Sequence, residues 1–356
     1  PEARSARTRV VVGAFLGVAG LGAAVLNLIA VIEDQGVGVF GALECIRTID
    51  ETGTSVDRPI EVVAFSDEEE RFLGFLGSYA FVGEITYKEI TDRTDHDGVR
   101  LVEAMRAAGL NPELIGEARV DTKAYAAFVE LHIEQGPILE REGDVIGVVE
   151  RIKGDYRWGV TITGRTDHAG APLAGRRDAL TAFHEVIARM IAFRNQNGDD
   201  DTTLTVGRVV LTPNVETAQP GCVEFSLDVR SSRRDLLHST DRALGETLTA
   251  LTADDRFTVE RHPILIEDPV EFDAAIVNTI GESAATRGYR RRTMASGAGH
   301  DAQVIGRHIP SAMIFVPSVD GRSHCPEEFT RTEHVEAGVN VLYDTIVRLA
   351  QTTGGR

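Results

Sequence analysis

Apolar and polar positions along this chain of 356 residues follow two rhythms. "PIEVVAFSDEEE" reads as a strand running into a cluster of carboxylates, and "SAMIFVPS" as a short buried strand before the loop "VDGRSHCPEEF". In "AAFVELHIEQG" the period is two. Val129, Leu131 and Ile133 share one face and Glu130, His132 and Glu134 the other, which predicts a strand with one apolar and one polar side. The last segment sets Val335, Val339, Leu342, Ile346 and Leu349 at helical spacing.

From Asp34 onward strand and helix patterns alternate, the mark of an α/β fold: a mixed sheet sandwiched by helices. The rhythm changes between about Trp158 and Thr258. "RWGVTITG", "TTLTVGRVVL" and "CVEFSLDVRS" are strand-like there. "DALTAFHEVIARMIAF", with Leu180, Phe183, Ile187 and Met190 in line, and "RDLLHSTDRALGETLTALT" are helical. This is a compact α+β unit inserted into the larger domain. The expected division is 1–155, 156–264 and 265–356, with 1–33 an atypical apolar segment.

Within that segment, "RVVVGAFLGVAGLGAAVLNLIAVIED" has only Asn27 as a polar residue before Glu33, and Arg4, Arg7 and Arg9 stand at its start. A membrane anchor over residues 10–32 fits its length, since a span takes roughly 20 apolar residues. A spanning helix would remove the first strand from the sheet, so a buried strand and turn is the reading adopted. No small-residue cleavage site closes the run, which argues against a signal peptide.

Composition narrows the partners. Asp and Glu number 55 against 37 Lys and Arg, a formal net charge of −18 that disfavours nucleic acid. Lysine occurs only at positions 88, 123 and 153, and so acidic and lysine-poor a surface suits a halophilic source; high-GC codon usage gives the same bias. Cys45, Cys222 and Cys325 form no CxxC pair, so a reducing cytoplasm is expected.

Candidate chemistry lies just after the strands. Adjacent glutamates in "FSDEEERF" can divide labour, one on a metal and one moving a proton; a solvated acidic turn has the same composition. His132 and His324 suit metal ligation, although a strand or loop histidine is as often merely hydrogen-bonded. "GRTDHAGAPLAGRRDAL" carries His168 and "SGAGHDA" carries His300, each in a turn of small residues. Arg230, beside Glu224, Ser226 and Asp228, suits either an ion pair or a substrate carboxylate.

In this order, "VAFSDEEERF", "ELHIEQGPILE", "GRTDHAGAP", "PGCVEFSLDVR", "SGAGHDA" and "SHCPEEFT" resemble the successive motifs of one family. It is the zinc-dependent N-carbamoyl-L-amino-acid hydrolase, allantoate amidohydrolase and β-ureidopropionase group, within the aminoacylase and carboxypeptidase superfamily. The resemblance covers Asp34 to the C-terminus. It implies two divalent ions, zinc or manganese, and a homodimer made through the inserted lid. It also implies hydrolysis of a linear ureido or amide C–N bond in a small substrate with a carboxylate.

Carried over by motif, Asp34 would bridge the ions, Glu69 and His324 would hold one and His132 the other. Glu68 would be the general base. Gln135, Thr217, Arg230 and His300 would touch substrate, and His168 would reach the neighbouring subunit's site. Thr217 stands where the family has asparagine. The first metal ligand of the family is a histidine at the end of the first strand. Here no histidine precedes His96, and the family register puts Phe15 or Ala23 at that position. One metal site is therefore expected to be impaired. An aminoacylase or dipeptidase of the same superfamily, or a non-catalytic dimeric binding protein, are the rival expectations.

Overall fold

The computed structural model describes residues 9–15, 36–253 and 255–351. They fall into two compact units, one comprising 1–151 with 271–356 and the other 152–270.

In the first unit the chain runs through β1 (Arg9–Phe15), α1 (Gly36–Thr52), β2 (Ile60–Phe65), α2 (Leu76–Val82), α3 (Tyr87–Ile90), α4 (Leu101–Ala107), β3 (Tyr125–Ile133), α5 (Ile138–Glu142) and β4 (Ile146–Ile152). The second unit holds β5 (Gly154–Thr163), β6 (Asp167–His168), α6 (Ala179–Asn197), β7 (Thr203–Thr205), β8 (Val209–Thr212), β9 (Ala218–Gln219), β10 (Cys222–Ser231), α7 (Arg234–Thr252) and β11 (Thr258–Glu267). After β12 (Val270–Glu271), the first unit resumes with α8 (Ala274–Thr286), β13 (Arg291–Ser296), α9 (Asp301–Ile305), β14 (Ser311–Val316) and α10 (Thr332–Ala350).

The sheet of the first unit is mixed. Strands β2, β1, β3 and β14 are parallel neighbours, and β4 joins β14 antiparallel. Register is set residue by residue, with Phe15 level with Phe65 at the carboxyl ends of β1 and β2. Every residue of β14 is buried, which explains its unbroken apolar run. Leu131 on β3 faces α1 and α10: a Cβ on Gly338 would come within 2.9 Å of its side chain, so glycine is what lets α10 sit this close. The buried stripe of α10 includes Gly338, Val341, Leu342, Thr345 and Ile346, rotated from the predicted one, with Val335, Val339 and Leu349 at its margins.

The predicted polar face of β3 is a correction. Glu130 and Glu134 are only 5% and 7% exposed, because elements pack over both sides of this strand. Their carboxylates end on backbone N–H groups instead of water, as the site below shows.

The second unit packs α6 and α7 on an antiparallel sheet of order β11-β5-β10-β7, with β8 also paired to β10. Trp158, Phe225, Val186, Met190 and Leu244 lie at its core. On α6 the buried line is Ala179, Ala182, Val186 and Met190, one notch from the predicted stripe. Leu180 is exposed and Phe183 and Ile187 pack at the flank, because two alanines occupy the buried line. "TTLTVGRVVL" divides into β7 and β8. Along β10 burial alternates strictly, so Glu224, Ser226, Asp228 and Arg230 share the more open face.

Candidate metal and substrate site

Loops at the carboxyl ends of β2, β3 and β14 carry Glu68, Glu69, Gln135 and His324, at the place where open α/β sheets bind ligands. After β2, the Asp67 carboxylate accepts the backbone N–H groups of Arg71, Phe72 and Leu73 at 2.8, 3.1 and 3.0 Å. Burial nonetheless pushes its pKa up, those hydrogen bonds pulling the other way. Asp67 is thus committed to folding the turn. Glu68 and Glu69 follow it, and Asp67 and Glu70 on either side of them sit at φ 60°. Left-handed backbone at non-glycine residues costs on the order of 1–3 kcal/mol each and clusters where a loop is held for function. Gln135 after β3 and His324 after β14 share this geometry, at φ 54° and 56°.

His132 closes the even-numbered face of β3. Its Nδ1 is 2.9 Å from the carbonyl oxygen of Ile133, which can only accept, so Nδ1 carries the proton and Nε2 keeps a lone pair. Burial lowers its pKa, and the charges of Glu69 and Glu328 oppose that shift. Beside it stands the imidazole of His300, with ring centroids 4.4 Å apart at 61°.

The two glutamates around His132 hold this arrangement. Glu130 Oε2 accepts the Ala302 N–H at 2.9 Å, which fixes the start of α9 and with it His300. Glu134 accepts the N–H groups of Ile138 and Leu139, both at 2.8 Å, at the start of α5. These uses were not legible in the motif. The Phe75 ring abuts Gly299, where a Cβ would fall 2.8 Å from it, so the carboxylate loop and the His300 turn interlock.

Glu69 Oε1 and His324 Nε2 lie 3.5 Å apart. His324 also meets Gln135 Nε2 at 3.2 Å; an amide nitrogen only donates, so His324 Nε2 is the acceptor there. Glu328, which the sequence reading missed, accepts the His324 backbone N–H at 3.0 Å and secures the strained residue. Its only signal was its place in "SHCPEEF".

The remaining residues belong to the second unit. His168 and Thr217 are together: β6 pairs with β9, His168 opposite Ala218, and the Thr217 carbonyl accepts the Ala169 N–H at 2.8 Å. Arg230 is elsewhere on β10, its Nε and Nη2 donating to Asp228 at 3.2 and 3.1 Å. A second carboxylate, Asp155, lies 3.3 Å from its Nη2. The β6–β9 ribbon adjoins the Cys222 end of β10 and Arg230 lies eight residues further along, roughly 26 Å at about 3.3 Å per residue. Asp34 lies outside the described residues.

Whether these side chains suit a cation can be judged from their spacing. Ligand bonds of about 2.0–2.1 Å at tetrahedral angles put two donor atoms roughly 3.3–3.4 Å apart. The Glu69–His324 pair fits one ion, and the His324 lone pair now taken by Gln135 is the one an ion would use. Among the described residues no three His, Cys, Asp or Glu side chains converge to hold a metal on their own. His132 presents a single lone pair for a second ion.

Against known proteins, residues 32–348 match the model of Peptidase family M20/M25/M40. The chain belongs to this family. It is 37% identical to the N-carbamoyl-L-amino acid amidohydrolase of Geobacillus stearothermophilus, over 89% of this chain and 78% of that protein. Identity to the allantoate amidohydrolase of Bacillus subtilis is 33%, over 89% and 77%. A crystal structure of an amidase of the hydantoinase/carbamoylase family from Burkholderia multivorans superposes with a TM-score of 0.82 at 34% identity, covering 96% of this chain and 81% of that one. The chain is accordingly a hydrolase of non-peptide C–N bonds, with the mixed α/β fold of these amidases. Among the described residues no helix is long and apolar enough to cross a membrane. Residues 9–15, the start of the apolar segment, are a sheet strand paired on both sides, and residues 16–32, the rest of the anchor expected over 10–32, lie outside the described residues.

Proposed function

We propose that this chain hydrolyses the ureido C–N bond of an N-carbamoyl-L-amino acid or of allantoate, using one firmly held divalent cation. The observation that carries the reading is the Glu69–His324 pair, at the separation of two ligands on one ion and close enough for its charges to act on His132, whose Nε2 carries a lone pair.

Zinc or manganese would be held by Glu69 and His324, completed by Asp34. Bound there, it supplies Lewis acidity to the carbamoyl carbonyl and to water. Glu68 takes a proton from the attacking water as its oxygen bonds to the carbamoyl carbon. The same proton goes to the leaving nitrogen as the C–N bond breaks, giving the free amino acid and carbamic acid, which decomposes to ammonia and carbon dioxide. Arg230 takes the substrate carboxylate, with Gln135 and His300 as further contacts, while Thr217, which sits beside His168, goes with it to the substrate of the neighbouring subunit.

The second ion position keeps His132 and a shared Asp34, fewer than the three protein ligands a catalytic zinc site ordinarily has. His168 acts on the partner subunit's substrate in a homodimer built through the inserted unit. Support for this lies in the placement of His168 and Arg230 toward different ends of β10, too far apart for both to touch one small molecule if the ribbon continues away from Arg230.

Elemental analysis of the purified chain, run beside assays on N-carbamoyl-L-amino acids, allantoate, N-acetyl amino acids and dipeptides, tests the reading. About one ion per chain with turnover of the ureido substrates is expected. Turnover of N-acetyl amino acids or dipeptides alone would make it an aminoacylase or dipeptidase. Neither metal nor turnover would leave a binding protein.

A further inference from the structure

Ser296 is 1% exposed at the end of β13, and its hydroxyl has three neighbours. It lies 2.8 Å from the carbonyl oxygen of Ala298, 3.1 Å from the Ala298 backbone nitrogen and 3.1 Å from His300 Nε2. A hydroxyl has one proton and two lone pairs. The Ala298 carbonyl can only accept, so the serine proton goes there; the backbone N–H of Ala298 can only donate, so it takes one lone pair. What remains for His300 is the other lone pair.

The alternative, in which serine donates to His300, would leave hydroxyl and carbonyl oxygens 2.8 Å apart without a proton between them. Nε2 of His300 is therefore the protonated nitrogen. His300 is itself 1% exposed and stacked edge-on against His132. A neutral ring protonated at Nε2 has its lone pair at Nδ1.

We propose that Ser296 is a positioning residue that locks His300 as a hydrogen-bond acceptor at Nδ1, and that His300 thereby selects substrates presenting an N–H beside the scissile carbonyl. A linear ureido or amide nitrogen meets that demand, whereas an ester oxygen at the same place sets two lone pairs against each other. The selection step rests on the ureido-hydrolase reading above; the tautomer does not.

Two measurements test it. Long-range proton–nitrogen correlation spectra of the histidine-15N-labelled full chain, with His300→Gln for assignment, read the tautomer directly. The Nε2–H form is expected in the native chain and is lost or mixed in Ser296→Ala. A His300 signal of the Nδ1–H form or of imidazolium in the native chain overturns the proposal, whether or not Ser296→Ala folds. The second compares kcat/KM for N-carbamoyl-L-alanine with that for its oxygen isostere, O-carbamoyl-L-lactate. Ser296→Ala should lower the preference for the N–H substrate roughly tenfold, the usual worth of one hydrogen bond. Ser296→Thr, which keeps the hydroxyl, should restore it. An unchanged preference in Ser296→Ala overturns the selection. A native chain that turns over neither compound removes the ureido reading and with it the selection, while the spectra still decide the tautomer.

Discussion

Glu130 and Ala302 are 172 residues apart in sequence, yet the carboxylate of one accepts the backbone N–H of the other at 2.9 Å. That bond ties the strand bearing His132 to the turn bearing His300. Deleting the acceptor leaves a buried N–H unpaired, a loss of about 1–3 kcal/mol. Glu130→Ala should lower the denaturation midpoint accordingly, while Glu130→Gln, which keeps an acceptor oxygen, should cost well under that. Equal losses in chemical denaturation would mean that the carboxylate does something other than hold α9.

The same corner gives stability a pH dependence. Burial pushes Asp301 up from 3.8 to about 7, and Glu130 upward too, through burial and then through its neighbour Asp301. In both, the folded chain keeps a proton that the unfolded chain has released. The contribution of such groups is fully present below the unfolded pKa and is lost as pH rises through the folded one. Stability should therefore fall from about pH 4 toward 7, by up to about 1.4 kcal/mol per pH unit for each such proton. Asp301→Asn should flatten that fall. Urea midpoints that decline equally in the native chain and in the variant would assign the slope to other groups.

How far the sequence reveals this molecule depends on the range of each interaction. The period-two pattern of "AAFVELHIEQG" is local and survives in β3, but its polar face is buried, because Glu130 and Glu134 spend their acceptor oxygens on the backbone N–H groups at the starts of α9 and α5. No local pattern distinguishes such a carboxylate from a solvated one. Helix existence in α6 is likewise local, whereas its buried line depends on two alanines meeting a sheet formed by other segments. At the site, motif order is what names Glu69, His132, Gln135, His300 and His324 as candidates, since each stands in a run that can be read along the chain. Asp67, Ser296 and Glu328 escaped notice because each acts on backbone groups or on another side chain, and their types alone carry no signal. Asp34 lies outside the described residues.

Glu68 is the residue proposed to move the proton, and its removal should separate chemistry from binding. Glu68→Gln keeps the size and loses the base. The expected loss in kcat is roughly a hundredfold or more, with metal content unchanged by elemental analysis. Full activity in this variant would take Glu68 out of the mechanism.

Phe15 ends β1 level with Phe65, the residue just before the carboxylate loop. Of the two positions to which the family's first ligand could map, this register favours Phe15. Phe15→His should then raise bound zinc from about one to about two ions per chain at saturating metal, since a catalytic site ordinarily needs three protein ligands. If metal content in equilibrium dialysis does not move, the end of β1 is not where the missing ligand belongs.

The proposed action of His168 across subunits can be read without a structure of the dimer. Neither His168→Ala nor Glu68→Gln should be appreciably active alone. When the two variants are unfolded together and refolded as a mixture, half of the dimers are mixed. In a mixed dimer, the subunit with an intact Glu68 borrows His168 from the Glu68→Gln partner, so one of its two sites is whole. Random assortment then restores roughly a quarter of native activity. If His168 served its own chain, both sites of the mixed dimer would be broken and nothing would return. A silent mixture, with the dimer verified by sedimentation, would therefore return His168 to its own subunit and require the β6–β9 ribbon to reach the Arg230 end of its own sheet.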